Sequence, residues 1–139
     1  MPSDEYSFSD DPARIDRHAI SAFLMAHAYW ATWRTHEDIS AAIDGSWRVI
    51  GCYDRGGELV GFARAISDGV NFGYLADVFV LPAHRGNGLG VQLVTEMIEN
   101  GPGRTFRWML HTADAHDLYR KFGFGEPNSS LLERASTRG

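Results

Sequence analysis

The chain predicts an α/β layer fold, one mixed sheet with helices packed against it, and three features predict it. First, the stretch from Tyr74 to Glu99, YLADVFVLPAHRGNGLGVQLVTEMIE, changes its apolar period halfway. Leu75, Val78, Phe79, Val80 and Leu81 make a strand that Pro82 stops. Leu89, Leu93, Val94, Met97 and Ile98 then fall on one face of a helix. Second, β-rich and helical runs around this stretch follow in the order hairpin, strand, helix, strand, helix, strand, which a layered sheet accommodates. Third, 139 residues with 44% hydrophobic content suffice for one core, so a single domain over residues 1–139 is expected.

From the N-terminus, Tyr6 and Phe8 alternate with serines as a short first strand does. Between Arg14 and Ala28, the residues Ile15, Ala19, Ala22, Phe23 and Ala26 recur at helical spacing, and the helix is expected to end near Tyr29, Trp30 and Trp33. Thr35 followed by Asp38 has the layout of a capping box. It opens a second helix with Ile39, Ala42 and Ile43 facing inward and Gly45 at its end. The runs from Trp47 to Tyr53 and from Leu59 to Ile66 are joined by Asp54, Arg55, Gly56 and Gly57, the turn chemistry of a hairpin. Asp68 and Gly69 turn the chain into the central strand. After the central helix, Asn100, Gly101, Pro102 and Gly103 break the chain, and the run from Phe106 to Leu110 reads as a further strand. Asp114 is expected to cap a helix carrying Ala115, Leu118, Tyr119 and Phe122 on one face and closed by Gly123. A last short strand is expected around Leu131 and Leu132.

Composition excludes several classes of function. The single cysteine, Cys52, forms no internal disulfide, and no Cys/His cluster has zinc spacing, so a reducing cytoplasm and no metal are expected. The N-terminal MPSDEYSFSDD is acidic and polar rather than basic then apolar, unlike a signal peptide. No run approaches the roughly 20 apolar residues of a membrane span. A formal charge of −5 without a lysine or arginine run disfavours nucleic acid and is compatible with a cationic amine.

The turn of the central stretch carries the chemistry. Gly86, Gly88 and Gly90 remove Cβ atoms where the helix begins, and an uncapped helix start leaves several N–H groups outward, an anion site. The Walker pattern fails, because Val91 rather than glycine stands five residues after Gly86 and the turn has no lysine. The dinucleotide pattern GxGxxG fails at Val91 and at Leu93. The turn does match [QR]xxGxG, as Arg85, Gly86, Asn87, Gly88, Leu89, Gly90, directly after a strand. This resembles the acetyl-coenzyme A signature of the GCN5-related N-acetyltransferase (GNAT) superfamily. A second segment, Leu118, Tyr119, Arg120, Lys121, Phe122, Gly123, Phe124, is similar to that family's LYxxxGF. The element order also agrees, and the resemblance covers nearly the whole chain. It implies a mixed, mostly antiparallel sheet of six to seven strands flanked by about four helices.

The resemblance further implies acetyl transfer from acetyl-coenzyme A to a primary amine by direct attack in a ternary complex. Arg85, Gly86, Asn87, Gly88, Leu89 and Gly90 would hold the diphosphate at the helix N-terminus. The backbone of Val78, Phe79 and Val80 would bond the pantetheine arm as an added strand does. The family usually places an asparagine seven positions before the tyrosine. Here that residue is Thr112, whose hydroxyl can still hydrogen-bond the coenzyme. Tyr119 is the candidate acid for the departing thiolate, with a core aromatic as the structural alternative. Asp77, a carboxylate in an apolar strand, is the candidate base; alternatively it accepts hydrogen bonds from a neighbouring loop or orients a water. Tyr29, Trp30, Trp33 and His36 fall where the family forms its acceptor pocket. Cys52, far from the motif strand, has no assigned role; His84 in the turn is expected to be exposed, and His111 and His116 flank the fifth strand where they could line the site, but none of the six histidines is assigned a role. The acceptor, a small-molecule or protein amine, stays open, as does homodimer formation. Two rivals remain: a catalytically inactive acyl-coenzyme A-binding or sensor module, and a small interaction domain.

Overall fold

The computed structural model describes residues 5–27 and 33–138. A five-stranded sheet in the order β1-β2-β3-β4-β5 forms its centre: β1 is Ser7–Ser9, β2 Arg48–Tyr53, β3 Leu59–Ser67, β4 Phe72–Val80 and β5 Arg107–Met109. Neighbours from β1 to β4 pair antiparallel, and β5 runs parallel to β4. The helices are α1, Arg17–His27; α2, His36–Asp44; α3, Leu89–Val94; and α4, His116–Arg120.

Local signals explain most of these boundaries. Thr35 closes a reciprocal capping box, its hydroxyl accepting from the Asp38 N–H while the Asp38 carboxylate accepts from the Thr35 N–H. The β2–β3 hairpin closes through the Gly57 N–H to the Asp54 carbonyl, with Gly57 at φ 84. α3 continues as a π-helical turn over Thr95–Glu99, where the Asn100 N–H reaches back to the Thr95 carbonyl. This winding keeps Met97 and Ile98 on the sheet beside Leu93 and Val94. Arg48 of β2 donates to the carbonyls of Glu96 and Met97, two acceptors near the end of the helix.

Each face of the sheet carries its own core. Ile50, Cys52, Ala63, Ala65 and Leu75 pack against Leu89, Leu93, Val94 and Met97 of the α3 helix, with Tyr119 of α4. Val49, Phe62 and Phe79 pack on the other face against Ile20 and Leu24 of α1 and Ile39 and Ile43 of α2. Leu75 and Phe79 lie on opposite faces although four residues apart, because β4 has a bulge. Phe62 pairs with Phe79 but Arg64 pairs with Ala76, so Asp77 and Val78 together stand opposite Ala63. Asp77 sits there at φ 51, alone in left-handed conformation among the described non-glycine residues.

Two sequence expectations are corrected. Among the described residues the sheet has five strands, not six to seven, because the last expected strand does not form: Leu132 is 93% exposed. The Asn128 side chain accepts from the Ser130 N–H and its carbonyl from the Leu131 N–H, turning the chain where that strand would start. α4 is capped by Ala115 rather than Asp114. The Thr112 hydroxyl takes the Ala115 amide at 3.1 Å.

Candidate active site where two strands part

β4 and β5 are hydrogen-bonded only over Phe72, Gly73 and Tyr74 against Arg107, Trp108 and Met109. The pairing is fixed by a close approach: a Cβ on Gly73 would lie 2.7 Å from the Trp108 ring, and the Trp108 indole N–H is held by the Gly103 carbonyl at 2.9 Å. Beyond this vertex, residues Leu75 to Val80 of β4 have no strand partner on that edge among the described residues. At ~3.3 Å per residue the open edge is about 20 Å long.

The glycine turn closes the far end. The Arg85 Nε donates to the Val80 carbonyl at 3.0 Å, and the Asn87 side-chain amide to the His84 carbonyl at 2.9 Å. Tyr6 of the N-terminal segment meets His84 Nδ1 at 3.1 Å, pinning the turn from behind. Gly86 and Gly88 have φ 85 and 74, and a Cβ at residue 86, 88 or 90 would meet nothing within 4 Å, so the turn is open outward. Gly88 is the helix N-cap without a side chain to cap it, and the first helical bond runs from the Gln92 N–H to the Gly88 carbonyl. The amides of Leu89, Gly90 and Val91 therefore precede the ladder with no intrahelical acceptor, at the positive end of the helix dipole.

Tyr119 belongs to the α3-side core, as do Val78 and Val80 of the open strand. It is 7% exposed, its ring edge-on to Phe124, and its hydroxyl has no hydrogen-bond partner among the described residues. Burial, helped by the Asp114 carboxylate, pushes the phenol up to about 12, so it stays protonated at neutral pH.

Asp77 is committed elsewhere. Arg34, from the segment before α2, grips both carboxylate oxygens at 2.9 Å, and the Arg64 Nε donates to Oδ2 at 2.7 Å. The three side chains are 11%, 7% and 13% exposed. Burial opposes the charge, but the Arg34 bonds and the Arg64 guanidinium outweigh it and hold the carboxyl below its usual range. The geometry therefore favours the alternative weighed from sequence, a carboxylate accepting hydrogen bonds from a neighbouring loop, over a base. Arg64 was legible as a lone charge in the apolar strand LVGFARAIS, across from the acid; Arg34 carries no such signal.

The remaining expected residues are spread around this frame. The Thr112 hydroxyl accepts from the Ala115 amide at the start of α4, and among the described residues its hydrogen is given to no acceptor. Trp33 lies under the Arg138 guanidinium, 4.0 Å from the ring centre. His36 stacks on His18 and bonds Ser21, joining α1 to α2. Tyr29 and Trp30 lie outside the described residues. Cys52 is fully buried, its thiol pushed up to about 12 by desolvation. A cleft of about 930 Å3 is lined by β5, α4 and the C-terminal segment, His111 and Glu133 among its walls, and no residue of the glycine turn lines it.

Sequence reasoning missed one cluster at the vertex. The Tyr74 hydroxyl lies 2.6 Å from His111 Nδ1, and His111 Nε2 bonds the Glu133 carboxylate. These residues come from β4, the segment after β5 and the C-terminal segment, 22 to 37 positions apart for the bonded pairs, so no local pattern announces them.

Comparison with known proteins agrees with this architecture. Residues 11–124 match the acetyltransferase (GNAT) family. A candidate acetyltransferase of Gibberella zeae is 32% identical, over 84% of this chain and 77% of that protein. The crystal structure of a candidate GNAT acetyltransferase from Xanthomonas campestris pv. campestris is similar with a TM-score of 0.88 and 36% identity, covering 96% of this chain and 94% of that one. A candidate acetyltransferase from Deinococcus radiodurans, at 20% identity, shares the fold with a TM-score of 0.71 over 96% and 91% of the two chains. With its parted strands, its glycine turn and these relatives, the chain belongs to the acetyltransferase (GNAT) family.

Proposed function

We propose that this protein transfers acetyl from acetyl-coenzyme A to a primary amine by direct attack within one ternary complex. The observation that carries the proposal is the open edge of β4, running from the vertex at Tyr74 to the glycine turn. A long ligand with amide groups along its arm and a diphosphate at its end fits both features. The amides around Gly88 to Val91 would take the diphosphate, and the backbone of Val78, Phe79 and Val80 would pair with the arm. The coenzyme supplies an activated thioester. Tyr119, neutral and without a hydrogen-bond partner among the described residues, would give a hydrogen bond or proton to the departing sulfur. Asp77 holds Arg34 and Arg64 in place on the opposite face of the strand rather than removing a proton.

The test has two stages. Acetyl-coenzyme A at 100 times its dissociation constant is expected to stabilise the fold by about 2.7 kcal/mol in a thermal or urea melt. Thiol release is then followed with a panel of primary amines. Tyr119→Phe is expected to fold, to bind the coenzyme as before, and to turn over 10² to 10⁴-fold more slowly, roughly the range for a lost general acid. An unchanged rate removes Tyr119 from the chemistry. Binding without turnover on any amine favours the sensor module instead.

A further inference from the structure

We propose that Tyr74, His111 and Glu133 form a relay that takes the proton from the acceptor's ammonium group at the vertex of β4 and β5, an assignment that rests on the N-acetyltransferase reading above.

Position is the first argument. Tyr74 is the last residue of β4 that pairs with β5, opposite Met109, so it stands where the open edge begins. Along β4, Leu75 points into the α3-side core, and Tyr74 points to the other face, the one that carries Arg64 and Asp77. The α3 side of the gap is taken by the glycine turn, the helix start and Tyr119. An acceptor reaching the same thioester arrives from the face on which Tyr74 lies.

Chemistry is the second argument. A carboxylate only accepts, so the His111 nitrogen bonded to Glu133, Nε2, bears a hydrogen. The lone pair of Nδ1 then accepts the Tyr74 hydroxyl, which lies 2.6 Å away. The phenol oxygen, having given its hydrogen to Nδ1, keeps lone pairs with which to accept. When an ammonium N–H is shared with that oxygen, the N–H bond breaks and an O–H bond forms. The hydroxyl's own hydrogen moves to Nδ1, leaving the tyrosine neutral. The imidazolium so formed faces the Glu133 charge, and the amine keeps its electron pair for attack. His111 and Glu133 are 62% and 57% exposed, so the proton can leave to water afterwards.

Elimination is the third argument. Asp77 has both oxygens occupied by guanidinium groups. His18 and His36 are stacked between helices, His84 braces the glycine turn, and His116 bonds the Thr112 carbonyl. Among the described histidines, His111 alone joins a phenol to a carboxylate.

The test compares two classes of amine. An alkylamine is protonated at pH 7 and needs the relay, whereas an arylamine is already neutral. With acetyl-coenzyme A as donor, His111→Gln and Tyr74→Phe are expected to lower kcat/KM for alkylamines by roughly 10²-fold or more, and for an arylamine by less than about threefold. Coenzyme affinity is expected to stay within about twofold. In an active enzyme, equal losses on both amines, or none, overturn the relay alone. A second readout needs no acceptor: 15N spectra of the His111 ring in the unsubstituted chain are expected to show the Nε2–H tautomer, and Glu133→Gln is expected to weaken that preference. An Nδ1–H tautomer, or no response to Glu133→Gln, overturns the relay. Absence of any stabilisation by acetyl-coenzyme A overturns the N-acetyltransferase reading, and the relay with it.

Discussion

Replacing Asp77 by asparagine separates the two roles that its carboxylate can have. Asparagine tolerates the left-handed backbone found here, φ 51, and keeps the side-chain shape, so the substitution isolates the charge. What it removes is the common partner of Arg34 and Arg64, leaving two nearly buried guanidinium groups face to face. Breaking a buried pair from one side costs about 3 to 5 kcal/mol, and the lower end applies because the amide oxygen still accepts one bond. With a urea slope of about 2 kcal/mol/M for a domain of this size, the midpoint is expected to fall by about 1.5 M. The pH dependence fixes the cause. The Asp77 pKa is depressed in the folded state, so its stabilisation is full above the unfolded carboxylate value of about 3.9 and fades as pH falls through the lower folded value. The gap between the two proteins should therefore be wide at pH 7 and close below about pH 4. Urea melts across this range, read by tryptophan fluorescence, are sufficient. A midpoint within about 0.3 M of the parent at pH 7, combined with a large loss of turnover, would refute the anchoring role and return Asp77 to the place of a base.

Cys52 is expected to resist alkylation at pH 8 in the folded protein, since it is fully buried and its thiol is pushed up to about 12, and to react once per chain in urea. Fast labelling of the native state, counted by mass spectrometry, would contradict that burial. Gly88→Ala meets no steric obstacle but forces an L-residue to φ 74, so a loss of about 1 to 2 kcal/mol is expected in a urea melt. An unchanged midpoint would mean that the turn relaxes.

Local chemistry was readable in the sequence, and long-range placement was not. The Thr35 and Asp38 box, the Asp54 to Gly57 turn and the switch of period at Pro82 are each decided within a few residues, and the structure contains all three. The strand expected at Leu131 and Leu132 rested on two adjacent apolar residues without alternation, which a turn at Asn128 overrides. The bulge at Asp77 was hidden because a two-residue period in an apolar strand buried on both faces leaves no trace of a shift. Asp77 was legible as an unusual acid, but its partner Arg34 lies 43 positions away and only the fold joins them. His111 is a similar case: its place beside the fifth strand was readable, but its partners Tyr74 and Glu133 are joined to it only by the fold.

The extra residue in β4 works as a phase change along the chain. Before it, the odd-numbered Leu75 turns toward one layer; after it, the even-numbered Val78 and Val80 do. Deletion of Asp77 would leave Ala76 and Val78 alternating regularly opposite Arg64 and Ala63, so Leu75 and Phe79 would keep their faces, whereas one further inserted residue would turn half of the strand over. What the extra residue adds is a carboxylate within reach of two guanidinium groups: the strand can close up without it, but Arg34 and Arg64 then lose their common anchor.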